Sequence, residues 1–222
     1  VVWYIDGSGK VVPVPNGHYD PVTGTVTFTT THFSYYAVAY VRKTFGDLGS
    51  VEWARKPIEV MASKGIISGT GLDAFSPTRS ITRADYLVLL VKTLGLTTEF
   101  DNNFDDVSPD ANYYEALGIA KKLGIAVGIG NNRFNPEETI SRQDMMVLTV
   151  RALEKAGKLQ CSGVNELPDK FSDKGEIAGY AVDSVSALVK EGLIVGSDNR
   201  LNPRANTTRA EAAVFLYRIF NR

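Results

Sequence analysis

The sequence predicts a mainly α fold in which helix–loop–helix repeats fill residues 42–222 behind a short β segment at residues 1–41. Residues 1–41 are dense in valine, threonine and aromatics, with turn residues between the runs. From Arg42 onward, apolar residues recur at helical spacing. Over that stretch one set of marks returns three times in the same order, as in repeat architectures.

In the β segment, "VVWYI" and "VVPV" flank the turn "DGSG", and "YDPVTG" supplies Asp20, Pro21 and Gly24 for a second turn. "TVTFTT" alternates Val26 and Phe28 with threonines, the pattern of a half-buried strand, and "HFSYYAVAYV" continues extended. A few strands of this length make a weak core. The segment therefore reads as the C-terminal remnant of a β-sandwich-like module, and the chain as a fragment of something longer.

Each repeat opens with a phenylalanine two residues before an aspartate: Phe45 and Asp47, Phe104 and Asp106, Phe171 and Asp173. A helical stretch follows each pair. Its apolar face is read as Trp53, Ile58 and Met61, then Ala116, Ile119, Ala120 and Leu123, then Ala181, Val185 and Leu188. Gly65, Gly124 and Gly192 suit left-handed C-caps, and Lys64 and Lys190 complement the helix dipole. Pro57 is expected to split the first helix or to delay its start.

Apolar links follow ("IISG", "IAVG", "LIVG"), then loops ending "FSP", "FNP" and "LNP", then the second helices: "SITRADYLVLL", "TISRQDMMVLT" and "NTTRAEAAVFL". Extra length before the third repeat lies in the loop-like "EKAGKLQCSGVNELPDK". The expected boundaries are 42–103, 104–170 and 171–222.

The second helices are well specified at their starts. Thr82, Ser141 and Thr208 are N-caps with Asp85, Asp144 and Glu211 three residues on, a capping-box spacing. Ile81 and Ile140 can staple onto Tyr86 and Met145, whereas Thr207 spoils the third staple. Arg83, Arg142 and Arg209 then take the first helical position, where the dipole opposes a cation by a few tenths to about 1 kcal/mol. Repetition of that cost implies a compensating anion. It is either an internal carboxylate, from a Phe-x-Asp aspartate or an N3 acid, or an external anion held by guanidinium and free helix N–H groups together.

Several functions are disfavoured. The formal net charge of −1 creates no field for nucleic acid, and no apolar run approaches a membrane span. One cysteine, Cys161, excludes an internal disulfide, and two histidines are too few for a histidine metal site or most triads. No phosphate loop, zinc spacing or serine–histidine pairing occurs, so no enzyme, cofactor or metal is expected. "GSDNRLNP" and "GLDAFSP" faintly resemble calcium loops, but "GIGNNRFNP" lacks any carboxylate.

These marks together resemble the S-layer homology domain family, in three tandem copies over residues 44–222. The Phe-x-Asp openings, the links, the F-x-P loops and "ITRAD", "ISRQD" and "TTRAE" carry the resemblance. It implies a pseudo-threefold assembly of the repeats within a monomer, with grooves between adjacent units. It also implies an exported, non-catalytic module that anchors to Gram-positive-type cell walls through secondary cell wall polysaccharide, by its pyruvylated N-acetylmannosamine ends. The ketal carboxylate would be the external anion.

Carried over residue by residue, Arg83, Arg142 and Arg209 would bind the carboxylate. Asp47, Asp106 and Asp173 would accept from sugar hydroxyls or orient those arginines. Gly69, Gly128 and Gly196 would let backbone N–H groups approach the sugar. Trp53 would offer a ring face or else pack in the core, and Tyr180 keeps its register in the third repeat. Ser68 offers a hydroxyl where the other links have Val127 and Val195, and Gln143 replaces the signature's alanine. The sites are therefore expected to be unequal, the most complete using the first repeat's link and arginine. The competing reading is a helical-repeat scaffold for protein–protein interaction.

Overall fold

A computed structural model describes residues 1–30, 32–160 and 169–222. Cys161 and the middle of the expected loop insertion lie outside the described residues. The chain divides into two compact units, Val1–Pro77 and Thr78–Arg222, so the division falls within the first repeat.

In the first unit, β1 (Val2–Ile5), β2 (Val11–Val14) and β5 (Tyr35–Val38) form an antiparallel sheet in the order β2-β1-β5. The strands β3 (His18–Asp20) and β4 (Thr25–Thr27) pair as a separate hairpin. Asp6 and Asp20 fix the two turns, accepting from the N–H groups of Ser8 and Val22 at 2.8 Å each. The sheet is thin. Val2 is fully buried, while Val11, Tyr35 and Val38 stay exposed.

A 3-10 turn at Gly46–Val51 leads into α1 (Glu52–Ser63), which runs unbroken through Pro57. The expected split does not occur. Pro57 lies in the second turn, so its missing N–H leaves only the carbonyl of Trp53, on an exposed side of the helix, without its bond. Ala54, Ile58, Met61 and Ala62 face the core, and Trp53 does not join them. Gly65, at φ 73°, ends the helix with a Schellman bond from the Ile66 N–H to the Met61 carbonyl at 3.0 Å.

The second unit holds α2 (Arg83–Leu94), α3 (Tyr114–Lys122), α4 (Arg142–Lys155), α5 (Val182–Lys190) and α6 (Arg209–Phe220). Helix α2 packs against α3, α4 and α6, and α4 packs against α5. The segments entering the three arginine helices close a cyclic set of backbone bonds. Ile81 N–H donates to Thr207 O at 2.9 Å, Thr207 N–H to Ile140 O at 3.0 Å, and Ile140 N–H to Ile81 O at 3.1 Å. This is the pseudo-threefold relation in its most direct form.

Each entry is capped as its sequence requires. Thr82, Ser141 and Thr208 accept from the N–H of Asp85, Asp144 and Glu211 at 3.1, 3.2 and 3.2 Å, and only Glu211 completes a reciprocal box. Ile81, Ile140 and Thr207 are all buried at the ring. The Thr207 hydroxyl has no hydrogen-bond partner among the described residues, a cost of about 1–3 kcal/mol.

Candidate functional site

The three Phe-x-Asp aspartates share one internal task. Asp47 accepts from the N–H of Phe75 and Ser76, Asp106 from Phe134 and Asn135, and Asp173 from Leu201 and Asn202, at distances of 2.7 to 3.2 Å. Ser76, Asn135 and Asn202 have positive φ, so each carboxylate holds a left-handed turn at the F-x-P loop. Asp106 and Asp173 lie 3.7 Å from Arg133 and Arg200, loop cations, and not beside the helix-start arginines they were expected to orient. Burial works to raise both carboxyls, but the backbone donors and these arginines outweigh it and hold them below the usual range.

The link glycines also serve this loop. At Gly128, φ 78°, a Cβ would meet Arg133 O at 2.5 Å and Phe104 Cε1 at 2.9 Å. Gly196 and Gly69 meet the corresponding carbonyl and phenylalanine at similar distances. The aspartate, phenylalanine and glycine marks are therefore one device that sets the loop's path.

That loop closes the helix start of the preceding repeat. The N–H groups of Arg83 and Ala84 donate to Glu138 O and Pro136 O at 2.8 and 3.0 Å, and those of Arg142 and Gln143 to Ala205 O and Pro203 O at 2.9 Å each. The Arg209 N–H donates to Arg79 O at 2.9 Å. At α2 and α4 the leading backbone donors expected to help hold an external anion are thus occupied, which leaves that task there to the guanidiniums.

The guanidiniums reach the same way. Arg83 Nε donates to Phe134 O at 3.0 Å, and Arg142 Nε to Leu201 O at 2.9 Å. Each then faces the N3 acid of the next repeat's arginine helix, with different results. Arg142 Nη1 donates to Glu211 Oε1 at 2.8 Å. Arg83 Nη1 stands 4.0 Å from Asp144 Oδ2, at the limit of an ion pair. Asp144 is engaged elsewhere: Oδ1 accepts from the Tyr180 hydroxyl and Oδ2 from the Ser141 hydroxyl, both at 2.7 Å.

Beside Arg83 opens a cleft of about 420 Å³. Arg83 comes from the first repeat, the Val127–Ile129 link and the Asp144–Arg151 face of α4 from the second, and Tyr180 from the third. Arg83 is only 14% exposed, with Cζ 4.6 Å above the Phe134 ring centroid. Burial first, and then the bond to Asp144, push the Tyr180 hydroxyl up to about 12, so it is a neutral donor at physiological pH. Gln143, singled out as a departure, latches this corner. Its Oε1 accepts from Ala178 N–H at 3.0 Å and its Nε2 donates to the Tyr180 hydroxyl at 3.3 Å.

Residues 44–87, 103–146 and 170–213 each match the family model of the S-layer homology domain. The chain belongs to the S-layer homology domain family. It is 33% identical to an amylopullulanase of Thermoanaerobacterium thermosulfurigenes over 97% of this chain and 12% of that protein. It is 32% identical to Exoglucanase XynX of Acetivibrio thermocellus, over 78% of this chain and 16% of that protein. It is 28% identical to the S-layer protein sap of Bacillus anthracis, over 90% of this chain and 24% of that protein. The chain thus spans less than a quarter of the length of these relatives. S-layer homology repeats are non-catalytic anchoring domains, so these three repeats form a cell-surface anchoring module. Among the described residues, no helix is long and apolar enough to cross a membrane.

Of the S-layer homology residues expected to form a site, Arg83, Gly128 and Tyr180 meet in one cleft. Arg83 meets the second repeat's link, so the expectation that the first repeat's arginine works with its own link, Ser68 and Gly69, gives way to a pairing of successive repeats. Trp53 is 59% exposed, which removes the core-packing alternative. Asp144, Arg151 and the apolar strip between them were missed. Their signal was in the sequence: Asp144, Val147, Leu148 and Arg151 stand at i, i+3, i+4 and i+7, an apolar stripe with a charge at each end.

Proposed function

We propose that the Arg83 cleft binds the pyruvylated N-acetylmannosamine end of secondary cell wall polysaccharide, with the ketal carboxylate on the Arg83 guanidinium. The observation that carries this reading is a part-buried cation beside an open cleft whose own acid is turned toward other donors. The Gly128 N–H, which donates to no described residue, would face a sugar oxygen, and Tyr180 with Val127 would cover the ring. Asp106 acts through the loop that presents Phe134 O. Arg142 with Gly196 is the corresponding candidate for a weaker site, its loop held by Asp173 as Asp106 holds the loop at Arg83. In the second unit Arg209, and in the first unit Ser68, Gly69 and Trp53 with the loop that Asp47 holds, are each proposed as further glycan contacts. The module works as a monomer whose repeats form an intramolecular pseudo-trimer, and weak contacts along one polymer add through effective concentration.

Calorimetry with pyruvylated N-acetylmannosamine beside its unpyruvylated twin tests this. Binding of the pyruvylated sugar alone is expected. Equal binding of both overturns the carboxylate role, and wall binding that survives removal of the polysaccharide points instead to a protein–protein scaffold.

A further inference from the structure

The cleft holds a second guanidinium. Arg151 stands seven residues beyond Asp144 on the same face of α4, about 10 Å along the helix axis from the Arg83 end. It is partly buried, pairs with no acid among the described residues, and spends one donor on Ile125 O at 3.3 Å. A guanidinium carries five N–H donors. The remaining four have no protein partner among the described residues, and burial makes an incoming oxygen acceptor worth more there than in water. Val147 and Leu148 form an apolar floor between the two cations. The bond to Ile125 O has a structural counterpart, since Arg218 donates to Leu193 O at 3.1 Å. That accounts for one donor and leaves the rest of the Arg151 fork unexplained.

We infer that the cleft takes at least a disaccharide, with the terminal carboxylate on Arg83 and an oxygen acceptor of the adjoining sugar on Arg151. The inference rests on the reading of this cleft as a glycan site, and it names Arg151 as the residue that reads beyond the terminal unit. A carboxylate clamped at one end of the floor directs the saccharide along α4, toward the second cation that lines the cleft among the described residues.

The test titrates a pyruvylated monosaccharide and a pyruvylated disaccharide into the wild-type module, Arg151→Ala and Arg83→Ala. The wild type should bind the disaccharide about tenfold more tightly, the scale of one charge-assisted contact. Arg151→Ala should erase that preference, its loss falling on the disaccharide, while Arg83→Ala should weaken both. A preference that survives Arg151→Ala overturns the inference, as does an equal loss for both sugars or the absence of any wild-type preference. Failure of the wild type to bind either sugar overturns the glycan reading itself. Thermal melting checks that Arg151→Ala folds. If it does not, Arg151→Lys, which keeps the charge and loses the fork, should reduce the preference without abolishing it, and an unchanged preference counts against the role.

Discussion

Arg83 and Arg142 occupy the same position in successive repeats, donate through Nε to the same loop carbonyl of the next repeat, and face the same N3 acid. One methylene separates them. Glu211 spans to Arg142 while its other oxygen caps the helix start, so a single carboxylate answers both demands. Asp144 is shorter, and Tyr180 and Ser141 hold its two oxygens. The Arg142 corner is thereby closed by the protein's own acid, and the Arg83 corner keeps a cation with capacity to spare. Pseudo-symmetry in the backbone thus permits asymmetry in function, decided by the length of one side chain.

Removing the loop supports should have the largest effect. Asp106→Ala and Asp173→Ala each leave backbone donors unsatisfied, at an expected cost of about 3 kcal/mol in chemical denaturation. Asp106→Ala should also lower glycan affinity, because the loop that seats Arg83 is lost, whereas Asp173→Ala acts on the closed corner and should cost stability more than binding. Both carboxyls titrate below their unfolded value in the folded chain. Their contribution is therefore present above about pH 4 and lost as pH falls through the folded pKa. An acid titration of the melting temperature should show a shallower decline in Asp173→Asn than in the wild type.

Exchanging the acids sharpens the comparison. Asp144→Glu should reach Arg83, raise the melting temperature slightly and reduce affinity about tenfold, the worth of one charged contact. Affinity unchanged alongside a formed ion pair would break the account of why the first corner is open. The smallest effect is expected from Tyr180→Phe. It frees one Asp144 oxygen to turn toward Arg83 and should weaken binding about threefold, near the value of one net hydrogen bond.

Much of the fold was legible in the residues. Caps at Thr82, Ser141 and Thr208, the glycine stops at Gly65, Gly124 and Gly192, and the threefold recurrence all depend on local chemistry, which sequence records directly. Pro57 misled because a proline's cost depends on which carbonyl it orphans, and that carbonyl belongs to Trp53, an exposed residue of the first turn. Trp53 itself was ambiguous because helical spacing does not say which side of its first turn meets the core. The arginines were recognised as charges that require a partner. Their partners lie in the following repeat, however, and only the cyclic pairing of Ile81, Ile140 and Thr207 establishes that neighbour. The aspartates were singled out for position and misread for role, because a carboxylate that accepts backbone N–H groups has the same letter as one that faces a ligand.

The most direct test titrates pyruvylated N-acetylmannosamine into the wild type, Arg83→Ala and Arg142→Ala in parallel, with melting curves for all three. Loss of one charge-assisted contact at Arg83 should cost about 1.5–3 kcal/mol of binding, while Arg142→Ala keeps the affinity and, because it also breaks the ion pair to Glu211, lowers the melting temperature more than Arg83→Ala does. Retained affinity in Arg83→Ala, or equal loss in both variants, would contradict the claim that the open arginine is the one that holds the glycan.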